Sequence, residues 1–363
     1  MQFKNLSVFD AWNVTAINNS VLLDVAGTTT IDGTNTTNGS TKIVLQGNTS
    51  PGSLLNTNDL ALVSGGRLEL DGSIPFAAAT VDQTLDIDPT SSLFGHGFVE
   101  IINDVATDVL NNRGLIEADV GELRLAATNT INPVFDLDGD DPANPGNLKA
   151  VTGDLSVFGL HVDDFDGLLE VGSGHEATFE NQFEVGFDGV VRLDGSPTVP
   201  ATVNGADLIL GGDVIVDKLG RIGKGPSDMA TFDGSAASPG NLILSVPDSD
   251  DVLSLEGPVV FDGGIYQGDG TIKQAADITV ASFTPIQVGT YDWGNSQPGA
   301  PLTTLIDTGA LFRISSPTTG TTDNEYRGIM RLENGVLEVN TTAGWTLRPR
   351  KRSLVCRACR PAQ

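Results

Sequence analysis

Apolar and polar residues alternate along most of this chain with the period of a β-strand. In Arg67-Leu68-Glu69-Leu70, Glu122-Leu123-Arg124-Leu125, Val190-Val191-Arg192-Leu193 and Val336-Leu337-Glu338-Val339, charge is interleaved with apolar residues. A strand sends successive side chains to opposite faces, so such segments bury their apolar residues and turn the charges outward. Gly, Asp, Asn and Ser bound the segments, as turns require. No long window carries apolar residues at helical spacing without an internal Gly or Pro. The pattern predicts an all-β chain.

The strands recur as a repeat. Gly66 to Gly72 and Gly189 to Gly195 share one phrase: Gly, apolar or charged residues, Leu, Asp, Gly. Leu70-Asp71-Gly72-Ser73 matches Leu193-Asp194-Gly195-Ser196, and Ala79-Thr80-Val81 matches Ala201-Thr202-Val203. Gly-x-Gly turns follow at Gly95-His96-Gly97, Gly223-Lys224-Gly225 and Gly268-Asp269-Gly270. Strand-turn units of about 20 residues therefore sit inside a weak period of about 125. Stacked coils that bury their apolar faces on one another account for this economically. The expected fold is a right-handed parallel β-helix, with the Gly-x-Gly turns as corners. Tandem β-sandwiches also space turns this closely and are the alternative. The expected organisation is an N-terminal segment 1–19, coil units 20–135, 149–245 and 246–347, an acidic loop 136–148, and a tail 348–363.

Composition sharpens this picture. Glycine reaches 43 of 363 residues without a matching excess of proline, which suits many tight turns. Asp and Glu number 47 against 20 Lys and Arg, a net charge of −27. That field repels nucleic acid and anionic membranes, favours cations, and keeps a long β protein soluble. No apolar run is long enough for a membrane-spanning helix. The two cysteines, Cys356 and Cys359, lie in the tail, so the body needs no disulfide. The tail RPRKRSLVCRACRPAQ holds six of the 20 basic residues and no acid. It reads as an artefactual or unrelated terminus and is expected to be disordered. No signal peptide is visible at the start, which fits an internal piece of a longer exported protein.

Gly263-Gly264-Ile265-Tyr266-Gln267-Gly268-Asp269-Gly270-Thr271-Ile272 resembles the "GG-apolar-x-G-x-GT-apolar" signature of bacterial β-helical surface proteins. Leu110-Asn111-Asn112-Arg113-Gly114-Leu115-Ile116 is similar to their "NNG-apolar-apolar" coil. Autotransporter passenger domains, filamentous-haemagglutinin-type adhesins and giant extracellular repeat proteins belong to this group. The resemblance spans roughly residues 20–347. It implies export, display at the cell surface, and adhesion or scaffolding, and it carries no catalytic residues.

For chemistry, the acidic loop is the candidate. Asp136, Asp138 and Asp140 stand two apart, with Asp141 next, and alternating carboxylates on a turn supply oxygens that a hard cation such as calcium takes. The loop is not an EF-hand: Asp141 stands where that loop needs Gly and Asn147 where it needs Glu. A solvated turn closed by Pro142 and Pro145 is the plainer reading. Asp163, Asp164 and Asp166, and Asp248, Asp250 and Asp251, form similar groups that read as turns. His96, His161 and His175 lack the spacing of a transition-metal site. Gly220 to Gly225 lacks the spacing of a phosphate loop and reads as a turn. Cys356-Arg357-Ala358-Cys359 has no second ligand pair for zinc.

The function these features favour is a non-catalytic structural or adhesive protein of a bacterial surface, contacting glycans or other surface or matrix components, without nucleic acid. The alternative is a polysaccharide lyase or hydrolase on a β-helix, which needs converging carboxylates beside aromatic platforms. Tyr291 with Trp293 is the tightest aromatic pair for that purpose.

Overall fold

The computed structural model describes residues 1–9, 13–16, 21–34, 41–47, 52–72, 77–102, 110–127, 135–137, 145–159, 162–234, 242–292, 302–315, 325–326, 329–340 and 346–347. No helix occurs among them, and none is therefore long and apolar enough to cross a membrane. The described strand pairings are parallel throughout. Parallel neighbours cannot be joined by a hairpin and need a crossover. Here the crossover is one turn of a coil, and its own strands pair in the same way with the turns before and after. The chain is a parallel β-helix, and the sandwich alternative, which needs antiparallel sheets, is set aside.

Two compact units are present, Met1–Phe183 and Glu184–Gln363. In the first, each coil contributes to three faces. Face A stacks 22–25, 53–57, 77–81, 98–101, 123–127 and 155–158. Face B stacks 28–32, 59–63, 84–87, Leu110–Asn112 and Phe135–Asp136. Face C stacks Lys42–Gln46, Arg67–Asp71, 92–96, 115–118, 147–150 and Leu168–Gly172. The strand alternation decides which side chains point in. Along face C, Ile43, Leu68, Leu93, Ile116, Leu148 and Leu169 stand in register, all with no exposure. Burying each such side chain is worth about 1.5–3 kcal/mol, so this one column is a main support of the unit.

Corners are where sequence and geometry meet most tightly. Gly95 and Gly97 have φ of 115° and 154°, and a Cβ on Gly95 would collide with the Leu70 carbonyl one coil below. Asn112 takes an inward position on face B with no exposure. Its amide donates to the Leu137 carbonyl at 2.8 Å and its oxygen accepts the Gly114 N–H at 3.2 Å, so the buried polar group is paired. The remainder of the acidic loop follows Leu137 in the chain. Phe135–Asp136 before it and Asn147–Phe158 after it both pair with strands of the preceding coil, and both lie in the first unit. The compact units thus divide at Phe183 and Glu184, and the stack resumes in register across 138–146.

The second unit repeats the plan. Val190–Asp194, Asp213–Asp217, Leu242–Ser245, Ile265–Gln267, Thr284–Gln287, Leu311–Ser315 and Val336–Asn340 form one face. The next holds 201–203, Leu219–Ile222, Val252–Leu255, Thr271–Gln274 and Thr290–Asp292. The last holds 207–210, Met229–Asp233, Val259–Asp262, Ile278–Val280, Thr303–Ile306 and Ile329–Leu332. Its core is aromatic: Phe232 stacks on Phe261 at 5.5 Å between centroids, and Tyr266 meets Phe261 edge-on at 5.0 Å. The buried Tyr266 hydroxyl donates to the Gly263 carbonyl at 2.7 Å, and burial holds its pKa well above the ordinary value.

Candidate functional site

The acidic loop expected to hold calcium falls mostly outside the described residues. Asp136 lies in the short strand Phe135–Asp136, opposite Asn111, and Leu137 beside it is buried. Asp138, Asp140 and Asp141 are outside. The tail 348–363 with Cys356 and Cys359 is outside too, as are His161 and the three tryptophans.

Among the described residues, the structure brings together Asp248, Asp250 and Asp251, whose carboxylate oxygens lie within 4.8 Å of one another. They sit on the turn between Leu242–Ser245 and Val252–Leu255. The Asp251 N–H donates to the Asp248 carbonyl at 3.0 Å and closes the turn. Asp251 has no exposure, whereas Asp248 and Asp250 are exposed. The buried Asp251 carboxylate accepts the Asp248 N–H at 2.7 Å and, one coil below, the Lys218 N–H at 2.9 Å. Two charge-assisted bonds from main-chain donors are what a buried carboxylate needs.

Lys218 completes the corner. It takes a positive φ of 63°, a conformation costly for a residue with a Cβ, and it is held there from both sides of its peptide. Its N–H goes to Asp251, and its carbonyl accepts the Val252 N–H at 2.6 Å. Its ammonium stands 3.3 Å from Asp250, 3.5 Å from Asp217 and 3.6 Å from Asp251. The hydrogen bond to Asp250 and the charges of Asp250, Asp217 and Asp251 raise the Lys218 pKa. The cluster therefore already holds a cation, tethered to the chain. Sequence spacing alone shows Asp248, Asp250 and Asp251 as a turn. It does not show Lys218, which is distant in sequence and reaches them only through coil stacking.

Other corner carboxylates serve the same purpose. Asp59 accepts from the hydroxyls of Thr84 at 2.8 Å and Thr28 at 3.4 Å, on the coils either side of its own. Asp88 accepts from Ser64 one coil below, and from Thr90 at 2.9 Å. Burial pushes the Asp88 carboxyl up, but the hydrogen bonds from Ser64, Ser91 and Thr90 outweigh it and hold the pKa below 3.8. His175 Nδ1 lies 3.4 Å from Asp154, and His96 is the register partner of Asp71. Asp164 is exposed with a φ of 56°, in the strand Val162–Phe165.

Two further sequence readings are resolved. Tyr291 is only 2% exposed and packs edge-on against Phe312 at 5.8 Å, so it belongs to the core and offers no platform to a sugar. Gly223 has a φ of 74° after the strand Leu219–Ile222, and the Lys224 N–H donates to Asp228 at 2.8 Å. A carboxylate there fits a turn and disfavours a phosphate.

In comparison with known proteins, the chain matches no family model, no curated protein and no solved structure.

Proposed function

We propose that this chain is a non-catalytic structural and adhesive β-helix of a bacterial exterior. The observation that carries the reading is the use of its corner carboxylates. Asp59, Asp88 and Asp251 each bridge to a neighbouring coil, so they fasten the stack. Groups tied up in this way are poorly placed to serve as acid, base or nucleophile, which need freedom to meet a substrate. The acidity and the cysteine-free body suit a secreted protein that relies on stacking rather than disulfides. Flat faces of repeated polar rows suit contact with glycans or matrix components. Calcium at Asp136, Asp138, Asp140 and Asp141 is part of the same proposal and rests on their spacing.

A direct test incubates the full chain with a panel of neutral and acidic polysaccharides, following both retention on the glycan and release of new sugar ends. Retention without release supports an adhesive role. Steady release that scales with protein concentration would overturn the non-catalytic reading. For calcium, the wild-type unfolding midpoint is expected to rise with the ion, and that rise to vanish in D138N/D140N. A midpoint indifferent to calcium in both would remove the loop as an ion site.

A further inference from the structure

The outward side of face C in the first unit carries nearly balanced charge in an acidic chain. Its outer column reads Val44, itself buried, then Glu69, Phe94, Glu117, Lys149 and Glu170 from coil to coil, in strict register. Lys42 and Arg67 stand in the neighbouring column and lean into it. The Lys42 ammonium lies 2.9 Å from Glu69, and the Arg67 guanidinium lies 3.7 Å above the Phe94 ring. Lys149 lies 2.8 Å from Glu170. Three cations thus balance three glutamates on one flat face, with Asp71 at its margin, in a chain whose net charge is −27. Copies of such a chain repel one another over most of their surface. On this face, among the described residues, that repulsion is nearly balanced.

The order of the charges adds a second property. Reading up the column gives Lys42, then Glu69, then Arg67 over Phe94, then Glu117, Lys149 and Glu170. Reversed, the same list sets Lys42 against Glu170, Glu69 against Lys149, and the Arg67 guanidinium against Glu117. Each of these six charges meets its opposite. A two-fold axis lying in the face and parallel to the strands performs this reversal, and an interface built on such an axis must be self-complementary in this sense.

We propose that face C of the first unit is a self-association surface, and that a second copy of this chain docks there with its stack running in the opposite direction. In that arrangement each Lys42–Glu69 ion pair lies on the partner's Lys149–Glu170 pair, head to tail. The contact is small. Six rungs at about 4.8 Å and strands of about five residues at ~3.3 Å each give a footprint of roughly 450 Å². A stable standard interface covers about 800 Å² per partner, so the dimer is weak and reversible. Its pairs are closer than the Debye length of about 8 Å at 0.15 M salt, whereas the repulsion between distant carboxylates is screened at that ionic strength.

The test is sedimentation of the full chain at about 0.15 M salt, with thiols kept reduced, over a concentration series. Wild type is expected to show a reversible monomer–dimer equilibrium. Lys149→Glu and Glu69→Lys each place like charges opposite each other in the dimer, and each alone is expected to self-associate at least about tenfold more weakly. Mixed together they regain both opposite-charge contacts, so the mixture is expected to form a heterodimer near wild-type strength. The pairs broken within each chain keep 22–34% side-chain exposure, and ion pairs open to solvent contribute little to folding. Lys42→Glu with Glu170→Lys forms an independent second set, should either first variant lose its β spectrum. A wild-type chain that stays monomeric throughout overturns the proposal. So do folded variants that dimerise as well as wild type, and folded complementary variants that fail to associate on mixing.

Discussion

Single residues hold the corners of this protein, and the sequence showed some of them. Gly95 belongs to a Gly-x-Gly phrase readable as a turn, and its φ of 115° beside the Leu70 carbonyl explains why glycine stands there. Gly95→Ala is expected to destabilise the first unit by about 1–3 kcal/mol, read from denaturant unfolding. Lys218 was not legible, because its three carboxylate neighbours come from its own turn and the next coil. Its pKa is raised on folding, so its contribution is complete below the unfolded value of 10.5 and fades as pH rises through the higher folded value. Lys218→Met should therefore melt earlier than wild type at neutral pH, with the gap closing in strong alkali. A gap independent of pH would mean that the ammonium is not what matters. Asp88 behaves in the opposite sense. Its pKa is depressed, so its stabilisation is present above 3.8 and lost as pH falls through the lower folded value. Asp88→Ala should lower the midpoint at neutral pH and converge on wild type in acid.

Strands were readable from alternation, and their partners were not. Arg67-Leu68-Glu69-Leu70 announces which side chains turn inward, and Leu68 and Leu70 are indeed buried. That Leu68 lies between Ile43 and Leu93 depends on the length of each turn, which alternation does not encode. The same holds for Tyr291. Its place beside Trp293 suggested an aromatic surface pair, yet the inward position of Thr290–Asp292 puts the ring in the core. Columns of inward side chains also set the cost of mutation. Leu93→Ala opens a cavity in the middle of face C and is expected to cost about 2–5 kcal/mol. Phe283, 48% exposed on the second unit, is the contrasting position. Phe283→Ala should change stability by less than about 1 kcal/mol, although Arg313 lies 5.2 Å from its ring. Equal losses at the two sites, measured by chemical denaturation, would contradict the inward and outward assignment.

For the molecule as a whole, the repeat and the near absence of helical periodicity were enough to name the coil architecture. The candidate site was less legible. The loop chosen from its aspartate spacing lies mostly outside the described residues, while the carboxylates that the fold assembles among the described residues lie on another turn, with one lysine standing among them. Both sets look alike in sequence because Asp-rich turns recur along the chain, and the lysine that joins Asp250 and Asp251 reaches them only through coil stacking. All of this depends on parallel, in-register coils. Disulfide trapping tests that dependence most directly, with Cys356 and Cys359 replaced by Ser. Val260 and Thr279 are outward register partners on adjacent strands of the second unit. Adjacent strands bring Cα atoms to about 4.8 Å, which a disulfide can span. V260C/T279C should cross-link rapidly under mild oxidation with the β spectrum retained, whereas V260C/I278C, whose second side chain points into the core, should not. Equal cross-linking of the two pairs, or none in the first, would contradict the register and with it the β-helix.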